Sequence, residues 1–484
     1  MGKVYLIGGG PGSPDLITLR AVKALKECTA ILYDRLSGSE ILKYVNEDAK
    51  LYYCGKEPGC HYKTQEEINE TLVKLAKEGH IVGRIKGGDP YIFGRGGEEA
   101  LALIDENIDF EVVPGITSPI AALNYGGIPV THRKIAQSFH VFTAKSAASL
   151  NLDFDTIAKL KGTLIFMMGY EQLESICNGL ITAGLSEDTP AALVMSGTTS
   201  KQKKAVGTLK DITRIAKERG ISNPSIIVVG QVVNFNDKLN WFEKLPLFGR
   251  NICITRSRAQ SKEICDELSK LGASVTEINS IAIEANLESI KGIENKLEDY
   301  KYILLTSING VEMLFNALAH NDIDIRRIKG DFISIGDATT KALKAKGIIP
   351  SLTAKEFTGE GLFKAIEPRI SSGDKILIPR SKKGRDYIVK ELRNLGAEVD
   401  DIPVYDTVVG ENHNLISFDN CDTVVFTSPT TVENMITLVG IDKIREKSII
   451  SIGPITSKAL DRHQLPYMEC DRIGNQGIID TLLK

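Results

Sequence analysis

Several things are scarce in this chain of 484 residues, and each scarcity excludes something. There is one tryptophan, Trp241, and there are eight cysteines, none in a Cys-x-x-Cys pair. Cys54 and Cys60, with His61 beside them, come nearest to a metal-binding spacing, but no second ligand cluster matches them. Free thiols in a reducing cytoplasm, and no metal, are the expectation. No run approaches the roughly 18 apolar residues of a membrane helix, so no spanning segment is expected. Glycines interrupt the opening MGKVYLIGGGPG too early for a secretory leader, and Leu6 stands where myristoylation wants Ser or Thr. Neither sign of charge dominates: 59 Lys and Arg against 62 Asp and Glu leave −3. That balance argues against a nucleic-acid coat or a basic membrane-surface protein, while leaving room for local basic pockets.

What is present reads as a globular protein: 42% hydrophobic and 25% charged residues rule out a largely disordered chain. At roughly 100–200 residues per domain the length allows two to four domains. In the N-terminal half, KVYLIG, AILYD, HIVGRIKGG, FEVVPG, HVFTAK, GTLIFMMG, PAALVMSG and SIIVVGQVV read as strands. TLRAVKALKEC and TQEEINETLVKLAKEGH have helical spacing between them. The alternation predicts an α/β fold with functional loops after strand C-termini. A break falls near residue 246, where NWFEKLPLFGRNICITRS joins Trp241, Pro246 and Gly249 to a fresh strand start.

Beyond the break the chain repeats itself. ITRSRAQ (254–260) and LGASV (271–275) return 124 residues later as IPRSKKG (378–384) and LGAEV (395–399). ILLTSINGVE (303–312) returns as VVFTSPTTVE (424–433), and SIGDATTKAL (334–343) as SIGPITSKAL (451–460). Two similar α/β units follow, in block order first, second, first, second. The repeat alone leaves open which first block folds with which second block.

In the N-terminal half, GGGPGSPDLIT (8–18) follows a strand and opens a helix. With Asp34 after the next strand it imitates a dinucleotide site, but Ser13 replaces the third glycine and Pro11 sits inside the loop. GRIKGGDPYIFGRGGEE (83–99), VVPGITSPIAALNYGGIPVTHR (112–133), YDRL (33–36) and CGK (54–56) complete the set. In this order the motifs resemble uroporphyrinogen-III C-methyltransferase, of the tetrapyrrole methyltransferase family, over residues 1–245. The resemblance implies two subdomains, about 1–116 and 117–245, with S-adenosyl-L-methionine bound between them. It implies cofactor contacts at Pro11, Gly87, Gly88, Asp89, Ile92, Thr117, Ser118, Met168 and Gly197. Asp34 takes the family's proton-acceptor place, Lys56 its proton-donor place, and Arg133 stands where the substrate's carboxylates are recognised. Taken singly, Asp34 reads equally as a turn residue and Lys56 as a solvated charge. Ala144-Lys145 and Met195 depart from the family's usual Gly-His and acidic residue.

The C-terminal half offers Ser and Thr hydroxyls at strand ends, suited to capping helices or to holding anions. Arg256, Arg258, Arg380, Lys382, Lys383 and Arg385 add positive charge there. With VYDT (404–407), the repeated motifs resemble uroporphyrinogen-III synthase over residues 246–484. That resemblance implies one lobe from about 250–280 plus 407–484 and another from 281–406. It places Tyr405 in a catalytic role and Thr339, Ser428 and Thr456 along the substrate cleft. Tyr405 as an ordinary core aromatic is the plainer alternative.

Together the two resemblances imply a bifunctional enzyme. It would cyclise hydroxymethylbilane to uroporphyrinogen III, losing water and inverting the last ring. It would then transfer two methyl groups from S-adenosylmethionine to give precorrin-2, on the route to cobalamin or sirohaem. A cytoplasmic homodimer formed through the methyltransferase half, without nucleic-acid or membrane partners, belongs to the same expectation. Two competitors remain: an NAD-dependent oxidoreductase, from the glycine loop and Asp34, and a two-lobed small-molecule binding protein, from the repeat.

Overall fold

Short β-branched runs ended by glycine or proline become strands, and amphipathic stretches between them become helices. A computed structural model describes residues 2–34, 39–46, 48–55, 64–144, 152–256, 258–356, 358–410 and 415–484. β1 (Lys3–Gly8), β2 (Ala30–Tyr33), β3 (Lys50–Tyr53), β4 (Ile81–Lys86) and β5 (Phe110–Val113) form a parallel sheet in the order β3-β2-β4-β1-β5. The helix Leu19–Glu27 starts at Thr18, whose hydroxyl accepts the Ala21 N–H. Thr64 and Glu67 form a reciprocal capping box on the helix Gln65–Lys77, which buries Ile68, Leu72, Leu75 and Ala76.

A second sheet holds β6 (Phe139–Thr143), β7 (Thr163–Met167), β8 (Pro190–Met195), β9 (Lys203–Thr208) and β10 (Ser225–Val229), in the order β6-β7-β10-β8-β9. Only β6 and β7 run parallel. β3 and β9 are strands beyond those expected. KLYY is only four residues long, and KKAVGT carries two lysines and a glycine, so neither makes a hydrophobic run.

After the break, β11 (Asn251–Ile254) and β12 (Ser274–Glu277) begin a third sheet. The chain leaves it for β13 (Ile281–Ala285), β14 (Tyr302–Leu305), β15 (Asp331–Ile335), β16 (Leu352–Ala354), β17 (Lys375–Ser381) and β18 (Glu398–Val409). It then returns with β19 (Thr423–Phe426), β20 (Ser448–Ser451) and β21 (Met468–Glu469). The third sheet is parallel in the order β12-β11-β19-β20-β21, and the fourth runs β13-β18-β17-β14-β15-β16. Without the antiparallel β13, the fourth sheet repeats the third strand for strand. The opening and closing blocks thus share one sheet, and the two middle blocks share the other.

Every sheet carries a hydrophobic core on each face. Val4, Leu6, Ala30 and Leu32 pack on one side of the first sheet, and Tyr5, Ile7, Ile31 and Ile85 on the other. This is the covering on both faces that parallel sheets require. By its contacts the chain divides into two units, Met1–Ile278 with Asn412–Lys484, and Asn279–Glu411. Among the described residues no helix is long and apolar enough to cross a membrane.

Candidate active site

Loops at strand ends meet in the N-terminal half. After β1, Gly10 (φ +80°) exchanges backbone hydrogen bonds of 3.2 and 2.7 Å with Gly88 (φ +70°). A Cβ on Gly115 would lie 2.1 Å from the Gly88 carbonyl oxygen, and one on Gly8 would lie 2.5 Å from Gly115 Cα. Three backbones therefore touch where no side chain fits. Asp89 braces the contact: Oδ2 accepts the Gly115 N–H at 3.0 Å and Oδ1 accepts the Tyr91 N–H at 2.9 Å. Each carboxylate oxygen keeps a lone pair with which to accept from a cation. Gly87 precedes this turn, and Tyr91, Ile92 and Phe93 beyond it are exposed apolar side chains. Thr117 and Ser118 begin the helix Ser118–Tyr125 facing Gly88, and the Thr117 hydroxyl makes no capping bond.

The second sheet adds another loop. A Cβ on Gly197 would sit 2.4 Å from that of Ala122 in the same helix. Ser13 donates its N–H to Thr198 Oγ1 at 3.1 Å, and Gly12 lies against Thr198 and Thr199, so the Pro11 loop touches the Gly197 loop directly. Met167 pairs with Ile226, which pairs with Val194, so Met168 and Gly197 leave the same end of the sheet. Backbone strain gathers here. Of the eight described non-glycine residues with positive φ, five (Phe93, Arg95, Met168, Ser196 and Thr198) lie in these loops. Such strain concentrates at ligand-binding segments.

Asp34 follows β2 and lines a cavity of about 1180 Å³ together with Pro11 and Gly197. Behind it lies a buried charge cluster that sequence reasoning did not single out. Arg84 Nη2 is 3.2 Å from Asp34 Oδ2, Arg84 Nε is 3.2 Å from Glu99 Oε1, and Lys86 Nζ is 2.7 Å from the same Glu99 oxygen. The Glu99 carboxylate raises the Arg84 pKa, while burial and the neighbouring Arg84 charge lower that of Lys86. The signal was available: Arg84 and Lys86 alternate in a strand whose neighbours are all apolar, and charge in such a strand needs a buried partner. Lys56 and Lys145 lie outside the described residues. Arg133 is exposed and does not line the cavity, while its neighbour His132 stacks on Phe235 with ring centroids 4.8 Å apart.

In the C-terminal half several expected anion binders serve the fold. Arg380 is buried and held by Asp401 (2.6 and 2.5 Å) and Asp386 (2.8 Å), pairs that raise its pKa. Arg385 pairs with Glu360, and Arg256 Nη1 donates to Asn475. Ser428 caps the helix Pro429–Val439, accepting the Thr431 N–H at 3.2 Å. Its counterpart Ser307 caps Ile308–His320 and also lies 3.1 Å from the Tyr405 hydroxyl. Tyr405 is buried, and burial raises its pKa. Thr339 and Thr456 occupy matching buried positions near the starts of the helices Gly336–Ala345 and Pro454–Arg462. Among the described residues no group of three or more His, Cys, Asp or Glu could hold a metal ion.

Comparison with known proteins places both halves. The family of Tetrapyrrole (Corrin/Porphyrin) Methylases matches residues 3–213, and Uroporphyrinogen-III synthase HemD matches residues 262–480. The Porphyrin biosynthesis protein HemD of Ruminiclostridium josui is 38% identical over all of this chain and 98% of its own length. The Uroporphyrinogen-III C-methyltransferase of Priestia megaterium is 52% identical over 49% of this chain and its whole length. A Thermus thermophilus uroporphyrin-III C-methyltransferase complexed with S-adenosylhomocysteine is 34% identical, with TM-score 0.42, over 48% of this chain and 99% of its own.

Fold, loops and both family matches define the class: an α/β enzyme of tetrapyrrole biosynthesis with two active modules in one polypeptide. More specifically, the chain belongs to the family that fuses a uroporphyrinogen-III C-methyltransferase to a uroporphyrinogen-III synthase. It is bifunctional, and neither the oxidoreductase nor the binding-protein alternative finds support.

Proposed function

We propose that S-adenosylmethionine binds among the Pro11, Gly87–Ile92, Thr117–Ser118, Met168 and Gly197 loops and methylates uroporphyrinogen III twice, giving precorrin-2. The observation that carries this reading is that Asp34, Pro11 and Gly197 line one cavity. A pyrrole carbon attacks the sulfonium methyl in line, so a C–C bond forms as the S–C bond breaks and the thioether leaves. Positive charge develops on the ring, and Asp34, oriented by Arg84, stabilises that charge and accepts the proton. Asp89 holds the glycine loops together and offers its carboxylate to the cofactor's ammonium group. Lys56 as proton donor and Arg133 as carboxylate reader complete the assignment.

The second half, 246–484, cyclises hydroxymethylbilane. Protonation lets the terminal hydroxyl leave as water, and the resulting cation is reactive enough to close the ring. Weak neutral donors suffice, in keeping with Tyr405, Thr339, Ser428 and Thr456. Its lobes are 250–280 with 407–484, and 281–406, in keeping with the pairing of β11 and β12 alongside β19–β21. A homodimer formed through residues 1–245 and a cytoplasmic location belong to the same reading, and the seven described cysteines are all free thiols.

One incubation tests both halves: full-length protein, hydroxymethylbilane and methyl-labelled S-adenosylmethionine. Label in a dimethylated tetrapyrrole is the expected product. Asp34→Ala should abolish labelling and leave ring closure intact. Unlabelled tetrapyrrole from the wild-type protein would overturn the methyl-transfer assignment.

A further inference from the structure

We infer that the synthase half supplies one wall of the methyltransferase's tetrapyrrole chamber, with Lys262 and Lys270 as specificity-determining residues for substrate carboxylates. The inference rests on the methyl-transfer reading above and extends it to residues outside the methyltransferase family match.

The cavity that reaches Asp34 is large. Its volume of about 1180 Å³ exceeds the roughly 300–1,000 Å³ of ordinary small-molecule sites and suits a macrocycle better than the cofactor alone. One side is built by the N-terminal half through Pro11, Tyr33, Asp34, Tyr53 and Gly197. The other side is built by the C-terminal half: Lys262, Asp266 and Lys270 of the helix Arg258–Lys270, then Ser274 to Glu277 of β12. Tyr44, Tyr125 and Trp241 add aromatic faces against which pyrrole rings can pack.

The two sides are fastened together. Ser200 donates its hydroxyl to Asn251 Oδ1 at 2.5 Å and its N–H to Ser274 Oγ at 3.1 Å. Lys201 Nζ donates to Asn420 Oδ1 at 2.6 Å. These bonds leave from the same loop that carries Gly197, so the second wall is tied to the cofactor loops themselves.

The lining offers ammonium groups to substrate carboxylates. Lys43, Lys201, Lys262 and Lys270 enter no ion pair among the described residues. The acids are differently placed. Asp34 faces Arg84, Glu277 accepts from the Ser261 hydroxyl, and burial raises the Glu40 pKa against the pull of Lys43 and Lys201. Asp15, Glu40, Asp266 and Glu277 share the lining with the four lysines, and Lys262 and Lys270 stand on the wall that the C-terminal half supplies. A tetrapyrrole bearing carboxylates around its rim gives those ammonium groups partners, and flexible lysine stems accommodate several ring orientations.

Methyl transfer is measured on the full-length chain with uroporphyrinogen III varied and S-adenosylmethionine saturating. In K262Q/K270Q the KM for uroporphyrinogen III should rise roughly three- to tenfold. The turnover rate and the calorimetric affinity for S-adenosylmethionine should stay within about twofold, which also reports a folded protein. K262R/K270R should restore the KM, and the difference should shrink at high salt. Lys217→Gln, on another helix of the N-terminal half, serves as the control. An unchanged KM, or a loss of turnover alone, overturns the inference while the methyl-transfer reading stands. Failure of the wild-type protein to methylate uroporphyrinogen III removes both.

Discussion

Arg84 sits between two carboxylates, its Nη2 3.2 Å from Asp34 Oδ2 and its Nε 3.2 Å from Glu99 Oε1. Glu99 is wholly buried, whereas Asp34 is partly open to the cavity, so the guanidinium links the interior to the cavity wall. Arg84→Met removes the guanidinium from both carboxylates and leaves Glu99 with Lys86 and Gln65. Breaking a buried pair of this kind costs about 3–5 kcal/mol. Misplacing Asp34 should lower methyl-transfer turnover roughly 10- to 100-fold. Denaturant unfolding and labelled-methyl assays at low temperature check the two effects separately. Wild-type turnover in the variant would mean that Asp34 needs no such support.

Gly115→Ala should disable cofactor binding from a position that no catalytic argument singles out. The new Cβ would meet the Gly88 carbonyl oxygen at 2.1 Å, and a backbone atom cannot swing away as a side chain can. The Asp89 brace would part with it, because Asp89 Oδ2 accepts from the same Gly115 N–H. Overpacking of this kind costs about 1–3 kcal/mol, and affinity for S-adenosylmethionine should fall at least about tenfold. Gly97→Ala, where a Cβ meets nothing within 4 Å, should leave calorimetric binding unchanged.

Much of this was legible beforehand because it is written in local patterns. Seven of the eight expected N-terminal strand segments end in glycine or a polar residue, SIIVVGQVV being the exception, and the repeat announced two similar α/β units. The glycine-rich loops were legible as backbone that must come close to something. What escaped is tertiary. No spacing rule says that Gly8, Gly88 and Gly115 touch one another, since they come from three strands distant in sequence. Arg380 read as an anion binder because Asp401 and Asp386 are joined to it only by folding. Strain at Met168, Ser196 and Thr198 left no mark on composition, since none of these residue types signals a left-handed backbone.

Tyr405→Phe separates catalysis from packing in the synthase half. The phenol ring stays buried in either case, and only the hydroxyl beside Ser307 is lost. The net cost to stability should be about 1 kcal/mol. Ring closure should slow at least about tenfold by loss of a proton donor, while methylation of supplied uroporphyrinogen III is unaffected. Ser307→Ala removes a helix cap as well as the tyrosine's partner, and should cost about 1 kcal/mol with a smaller kinetic effect. If Tyr405→Phe closes the ring at the wild-type rate, the tyrosine is a core residue.

Buried thiols predict an alkaline limit to stability. Burial pushes Cys28 and Cys265 from an ordinary 9.0 up to about 12, and Cys177 up to about 11. Above pH 9 the unfolded chain sheds these protons while the folded chain still holds them. The folded state therefore binds more protons there, and stability must fall as pH rises. The contribution is fully present below pH 9 and is lost progressively up to pH 11–12. Urea unfolding at pH 8, 9, 10 and 11 reads the decline, and comparison with the triple variant Cys28→Ala/Cys177→Ala/Cys265→Ala isolates the thiols from tyrosine and lysine titration. The stability gap between the two proteins should narrow steadily as pH rises. The same burial keeps these sulfurs from an aromatic disulfide reagent at pH 8, since the thiolate is the nucleophile. Rapid native-state reaction of all three, or a gap independent of pH, would show that these cysteines are open to water.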